Sequence, residues 1–196
     1  MNSENIDIFK SDLFKSKKII VTGASSGIGR VTSEFLLKLG ASLVVTSRDK
    51  DKLLSNKSFY DLEKVHPVQA DLSEDDSGFK LIESLPSNWL PLDGIFHAAG
   101  EVLLKPLSIT NASDFHKLSS PVINCSISFA KAASKAKFFN NGSSIVLMSS
   151  VASEFGTLGM THYSAVKAAL KGVTVGMAAE LASKNIRVNN IAAGAV

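Results

Sequence analysis

Six short runs rich in β-branched residues, KIIVT at 18–22, SLVVTS at 42–47, VHPVQA at 65–70, DGIFHA at 93–98, SSIVLMS at 143–149 and IRVNNIA at 186–192, are separated by longer stretches of helical periodicity. Alternation of this kind predicts βαβ units and a parallel sheet. The apolar residues within each run are contiguous rather than strictly alternating, as strands covered by helices on both faces require. The expected architecture is therefore a doubly wound α/β sheet of six strands. No repeat, low-complexity tract or Pro/Gly-rich linker divides the sequence, so 1–196 reads as a single domain with 1–17 as a lead-in.

Composition narrows the function classes. Hydrophobic residues make up 45 % of the 196, enough for a sizeable core, which excludes a disordered or fibrous chain. The 21 Lys and Arg against 18 Asp and Glu leave a net charge of +3, scattered rather than gathered into an aromatic-studded stripe, so no nucleic-acid partner is expected. Cys125, the single cysteine, has no internal partner for a disulfide and fits a cytoplasmic setting. The opening MNSENIDIFKSDLFKSKK lacks the apolar stretch of a signal peptide, and the weakly polar segment 168–182 is interrupted by Lys171 and Glu180, short of the roughly 20 apolar residues of a membrane span. No membrane association is expected. His66, His97, His116 and His162 have no metal-ligand spacing with one another, with acids or with Cys125, so no metal is expected.

The first run passes directly into GASSGIG and then into a helical pattern over 28–39, with Val31, Phe35, Leu36 and Leu39 on the stripe expected to face the sheet and Gly40 as the stop. Gly23, Gly27 and Gly29 thus occupy a strand-to-helix turn. Glycines there admit positive φ and let main-chain N–H groups of the turn, with Ser25, Ser26 and Ile28, approach a pyrophosphate, while the helix N-terminus adds about half a unit of positive charge. The direct implication is a bound dinucleotide.

The spacing Thr22-Gly23-x-x-x-Gly27-x-Gly29 resembles the ordinary branch of the short-chain dehydrogenase/reductase family, which carries TGxxxGxG, rather than the extended branch with TGxxGxxG. The resemblance covers about residues 13 to 196. It implies that the residues ending the second strand choose the cofactor: an acid there would bond the adenosine ribose and repel a 2′-phosphate. Ser47-Arg48 stands there instead, and a guanidinium pairs a 2′-phosphate, so NADP(H) is favoured over NAD(H). Asp71-Leu72 follows the third strand where the family sets an aspartate against the adenine; Asp71 is equally suited to capping the next helix. His97-Ala98-Ala99-Gly100 resembles the family's NNAG with both asparagines replaced. Ala98, Ala99 and Gly100 still let the backbone pass close to the cofactor, but the amides that normally brace neighbouring strands are lost.

Tyr163 and Lys167 fall at i and i+4 of a helix predicted over 163–184, hence on one face. A phenol that exchanges a proton near neutral pH needs roughly 4 kcal/mol of help, and one ammonium at about 4 Å supplies about that amount at an effective dielectric of 20. In the family a serine stands 13 residues before the tyrosine, which selects Ser150 over Ser149. By resemblance Ser150 bonds the substrate carbonyl, Tyr163 acts as general acid in reduction or base in oxidation, and Lys167 favours the phenolate and holds the nicotinamide ribose. Gly194, in RVNNIAAG, lies beside the nicotinamide, with Ala193 replacing the usual proline.

One further departure concerns Val122, which aligns with an asparagine that in the family kinks its helix and holds a proton-relay water. Asn124 is two positions on, about 200° around a helix, and helps only if Pro121 distorts it. The family pattern also continues past Val196 with a substrate-covering segment and a seventh strand, which this reading takes as absent. The resemblance implies a small-molecule carbonyl or alcohol substrate, and a homodimer through the helices containing Val122 and Tyr163. Ala165, Ala168, Ala169, Gly172 and Gly176 permit close packing within the chain or against such a second subunit. The rival expectation is a catalytically weak nucleotide-binding subunit or fragment that acts as a binding or assembly protein. Trp89 is expected to close the edge of the core, and 49–52 to form a solvent-facing helix start.

Overall fold

In the computed structural model, which describes residues 9–54 and 63–194, the strands are β1 (Lys18–Thr22), β2 (Ser42–Ser47), β3 (Val65–Gln69), β4 (Leu92–His97), β5 (Phe139–Ser150) and β6 (Arg187–Ala193). All pair in parallel in the order β3-β2-β1-β4-β5-β6. The expected six-stranded doubly wound sheet is present, and each strand lies on its predicted run. β5 starts earlier than predicted because Phe139 pairs with Leu92 across a register shift. β1 pairs with β2 through Thr22–Thr46 and with β4 through Thr22–His97, so strand order reverses on either side of it and a crevice opens at the carboxyl ends.

The contiguous apolar runs follow from two cores. Side chains alternate across each strand, so Ile19, Val21, Leu43 and Val45 enter one layer while Ile20, Val44, Ile95, Ile145 and Leu147 enter the other. The first layer meets helices α1 (Gly27–Lys38) and α2 (Lys50–Leu54) through Leu36, Leu37 and Leu53. The second meets α3 (Ser77–Glu83), α4 (Ala112–Ser119), α5 (Cys125–Ala133) and α6 (Thr161–Leu181) through Ile82, Leu118, Phe129, Val166 and Leu170. Burying each such side chain is worth roughly 1.5–3 kcal/mol. Trp89 is buried at the core edge and stacks on His66, as expected.

One expectation about a helix face is corrected in part, and one open alternative is narrowed. On α1 the predicted stripe faces the sheet only in part: Leu36 packs on the first layer and Leu39 is buried, whereas Val31 is 43 % exposed, and the buried residues within the helix itself are Gly29 and Ser33. A small-residue face lets the helix start against the strand, with Ser33 Oγ donating to the Gly29 carbonyl at 2.8 Å. On α6 the small residues Ala165, Ala168, Ala169, Gly172 and Gly176 are all exposed, and a Cβ added at Gly172 or Gly176 would meet nothing within 4 Å, so they do not pack within the chain.

Between α4 and α5, Ser120–Asn124 forms a wide π-helical turn. Pro121 has no N–H for the regular helical ladder, so the distortion follows from proline and needs no asparagine at Val122. Val122 is buried against Gly100, and Asn124 is exposed. Among the described residues no helix is long and apolar enough to cross a membrane.

Candidate active site

The carboxyl ends of all six strands open on one cleft of about 1140 Å³. At its centre lies the turn from β1 to α1. Gly23 has φ +66°, and a Cβ there would come within 3.0 Å of the Ala99 nitrogen. A Cβ on Gly29 would land on the Gly23 carbonyl, 2.8 Å from its carbon, so only glycine lets the helix begin this close to the strand. Gly27 differs: its φ is +52° and a Cβ would meet nothing within 4 Å, because the position borders the open cleft. The first turn of α1 holds no acid, and Ser26 at the N-cap makes no side-chain capping bond. Its N–H groups are thus left for an anion, which is the arrangement a pyrophosphate fits.

The floor is fixed by Thr22. Its hydroxyl oxygen accepts from the Ala98 and Ala99 nitrogens at 3.1 and 3.0 Å and lies 2.7 Å from His97 Nδ1. With its acceptor capacity spent, the hydroxyl donates its proton to Nδ1, which places the imidazole proton on Nε2. His97 is 2 % exposed and packs edge-on to Phe129. Its Nε2 makes no hydrogen bond, although the Pro121 and Val122 carbonyls of the π-turn lie close enough to favour its protonation. Burial, aided by the Lys167 charge, lowers the imidazole pKa to about 4. The bracing lost with the family's asparagines is thus supplied by a histidine.

On the β2 side, Ser47 Oγ donates to Ser25 Oγ at 3.0 Å, and Arg48 reaches Glu101 at 3.3 Å. Asp71 does not cap α3, whose N-cap is Asp76. Its carboxylate instead accepts from the nitrogen and hydroxyl of Ser73, at 2.9 and 2.7 Å, and these bonds hold its pKa below the usual value, with a smaller contribution from Arg48. Leu72 is buried beneath it. Asp49 caps α2, accepting from the Lys52 nitrogen at 2.9 Å; both residues are exposed as expected, yet they also line the cleft.

On the opposite wall stand Ser150, Tyr163 and Lys167, with Gly194 beside them on the same cleft. Lys167 is buried, and its Nζ donates to the Met148 carbonyl at 2.7 Å. Burial lowers its pKa to about 8. The ammonium is 5.7 Å from the centre of the Tyr163 ring, and helix periodicity sets both side chains on one face. Ser149 and Ser150 are separated by their bonds: Ser149 Oγ donates to the Lys167 carbonyl at 2.9 Å, whereas Ser150 Oγ only accepts from the Ala152 nitrogen at 3.2 Å and keeps its proton to donate elsewhere. Gly100 belongs to the same group, since a Cβ there would lie 3.1 Å from Val122 and 3.7 Å from Lys167 Nζ.

The structure thus brings every candidate catalytic and cofactor-binding residue named from the sequence to one cleft: Gly23, Ser25, Ser26, Gly27, Ile28, Gly29, Ser47, Arg48, Asp71, Leu72, Ala98, Ala99, Gly100, Ser150, Tyr163, Lys167 and Gly194. Sequence reasoning missed the bracing by His97, the Met148 carbonyl under Lys167, and the wall formed by Glu101, Val102, Phe155 and Met160. A main-chain acceptor carries no sequence signature, and the loop residues have none beyond their position after the strand ends. Among the described residues no group of three or more His, Cys, Asp or Glu is arranged to hold a metal ion.

A family model described as short chain dehydrogenase matches residues 17–196. Carbonyl reductase family member 4 of Danio rerio is 32 % identical over 186 residues, covering 92 % of this chain and 76 % of that protein. Gluconate 5-dehydrogenase of Gluconobacter oxydans is 28 % identical over 187 residues, covering 93 % and 73 %. Among solved structures, a short-chain dehydrogenase/reductase from Brucella melitensis, glucose/ribitol dehydrogenase by name, superposes with a TM-score of 0.85 at 30 % identity, covering 94 % of this chain and 76 % of that one. A blue fluorescent protein from a metagenomic library, solved in complex with NADPH, gives a TM-score of 0.82 at 26 % identity, covering 91 % and 74 %. The matched residues include the glycine turn, the strand ends and the Tyr163 helix described above, and the chain belongs to the short-chain dehydrogenase family of NAD(P)-dependent oxidoreductases.

Proposed function

We propose that this chain interconverts a small-molecule carbonyl and the corresponding secondary alcohol, with NADP(H) preferred to NAD(H), and that Ser150, Tyr163 and Lys167 carry the reaction. The observation behind this reading is the convergence of a free serine hydroxyl, a phenol and a buried ammonium on the wall of a cleft whose centre is a helix N-terminus without a capping side chain. A nicotinamide dinucleotide, when bound, supplies the hydride in reduction and accepts it in oxidation.

The rest is work for the chain's own groups. The N–H groups of the glycine turn and of α1 hold the pyrophosphate. Arg48 pairs the 2′-phosphate, which is the source of the NADP(H) preference, and Asp71 receives the adenine amino group. Ser150 Oγ donates to the substrate oxygen and orients it. Tyr163 Oη passes its proton to that oxygen in reduction and recovers one in oxidation. Lys167, held from below by Met148, stabilises the phenolate left behind and binds the nicotinamide ribose. The NADP-bound state of the Shigella flexneri short chain dehydrogenase that this fold resembles, TM-score 0.81 at 26 % identity, accords with the preference.

The homodimer belongs to the same reading, through the exposed small residues of α6 and the helices around Val122. So does a cytoplasmic location, in keeping with a buried, unpaired Cys125. The test is binding of NADPH by fluorescence followed by a panel of carbonyl compounds, with Tyr163→Phe as control. NADPH oxidation that depends on Tyr163 is expected. Tight cofactor binding with no Tyr163-dependent turnover on any carbonyl would favour the rival, a nucleotide-binding protein without catalysis.

A further inference from the structure

Arg48 is pinned by its backbone but not by its side chain. Its carbonyl accepts from Gln69 Nε2 at 3.0 Å, and the preceding Ser47 is tied both to Ser25 and to the Asp49 nitrogen. From this anchored point at the end of β2 the guanidinium pairs with Glu101, one residue past the Gly100 turn after β4. β1 lies between these two strands, so the pair spans the glycine turn from one side to the other. Both side chains are more than half exposed, and both residues line the cleft. Asp71, the other carboxylate that senses Arg48, is already committed to Ser73.

The geometry points to Glu101 as a specificity-determining residue: it is the counter-charge that a 2′-phosphate must displace from Arg48, and it acts against cofactors that carry a 2′-phosphate. This deepens the proposed function and rests on the reading that Arg48 receives the 2′-phosphate. An approaching phosphate meets a guanidinium whose fork is already turned to a carboxylate, and it meets the negative charge of that carboxylate as well. A cofactor with a 2′-hydroxyl makes no such demand. Arg48 and Glu101 therefore act in opposite directions on one discrimination, and the NADP(H) preference is smaller than the arginine alone would give.

The test measures dissociation constants of NADPH and NADH by fluorescence for the parent chain, Glu101→Gln, Glu101→Ala and Arg48→Ala, with melting curves of the free proteins to verify folding. An exposed ion pair of this kind is worth enough to shift binding by about twofold to fivefold, so both Glu101 variants are expected to tighten NADPH by about that factor with NADH unchanged. The gain should shrink at high ionic strength as the charges are screened. Arg48→Ala is expected to weaken NADPH and spare NADH. If Arg48→Ala acts selectively on NADPH but neither Glu101 variant tightens it, the role of Glu101 is overturned while the phosphate site stands. If Arg48→Ala affects both cofactors alike, the reading of Arg48 as the phosphate site fails instead.

Discussion

The Thr22 hydroxyl donates to His97 Nδ1 across 2.7 Å at the two strand ends where the order of the sheet reverses. The same oxygen accepts both main-chain nitrogens that lead out of β4. Protonation of Nδ1 would replace this acceptor by a donor and set it against the hydroxyl proton, so the neutral ring is part of the cleft floor.

Acidification should therefore undo the floor before it affects the cofactor groups. Burial, with the nearby Lys167 ammonium, lowers the His97 pKa from 6.5 to about 4. Between these values the unfolded chain binds a proton that the folded chain refuses, so this group's contribution to stability is complete above 6.5 and falls by up to about 1.4 kcal/mol per pH unit on the way down to about 4. Urea unfolding across that window should show this slope, and His97→Asn, which has no proton to gain there, should show a smaller one. Equal slopes in the two proteins would contradict the assignment.

Lys167 sets a limit on the alkaline side. Its pKa is lowered by burial to about 8, so the ammonium predominates below that pH and is lost above it. Carbonyl reduction should decline as pH rises through about 8. Lys167→Met should lower kcat by about 10²-fold or more, as removal of a preorganised charge does elsewhere. A rate that climbs through this range in the parent would argue against a role for the ammonium.

The two glycines of the turn should fail in different ways. At Gly29 a methyl group collides with the Gly23 carbonyl, so Gly29→Ala should lose about 1–3 kcal/mol of stability, read as a lower urea midpoint. At Gly27 the methyl group meets no protein atom but sits at φ +52°, so Gly27→Ala should cost about 1–2 kcal/mol in folding while it removes the thermal stabilisation conferred by NADPH. Retained stabilisation by NADPH in Gly27→Ala would show that the cradle lies elsewhere.

How far the sequence was legible depended on the kind of signal. Strand positions were readable because burial on both faces imposes unbroken apolar runs, as at Ile19–Val21 and Leu43–Val45, and because glycine is obligatory where α1 starts against Thr22 and Gly23. The inward face of α1 is legible at Leu36 and Leu39 but not at its start, where hydrophobicity suggests Val31 as the inward side chain and close approach selects Gly29 and Ser33. The π-turn at Pro121 was foreshadowed by the missing N–H, but not its effect of bringing two carbonyls toward His97. The preference for Ser150 over Ser149 rests on the resemblance to the family, and the commitment of the Ser149 hydroxyl to the Lys167 carbonyl is a physical observation consistent with it. Pairings across the cleft, Arg48 with Glu101 above all, join residues 53 apart and leave no local pattern.

The most direct measurement of the central claim is NADPH consumption with a carbonyl panel by the parent chain and by Tyr163→Phe, with NADPH affinity determined for both. Loss of the general acid should reduce turnover by about 10²- to 10⁴-fold while the affinity stays within about twofold. Turnover that survives in Tyr163→Phe at equal cofactor occupancy would contradict the account.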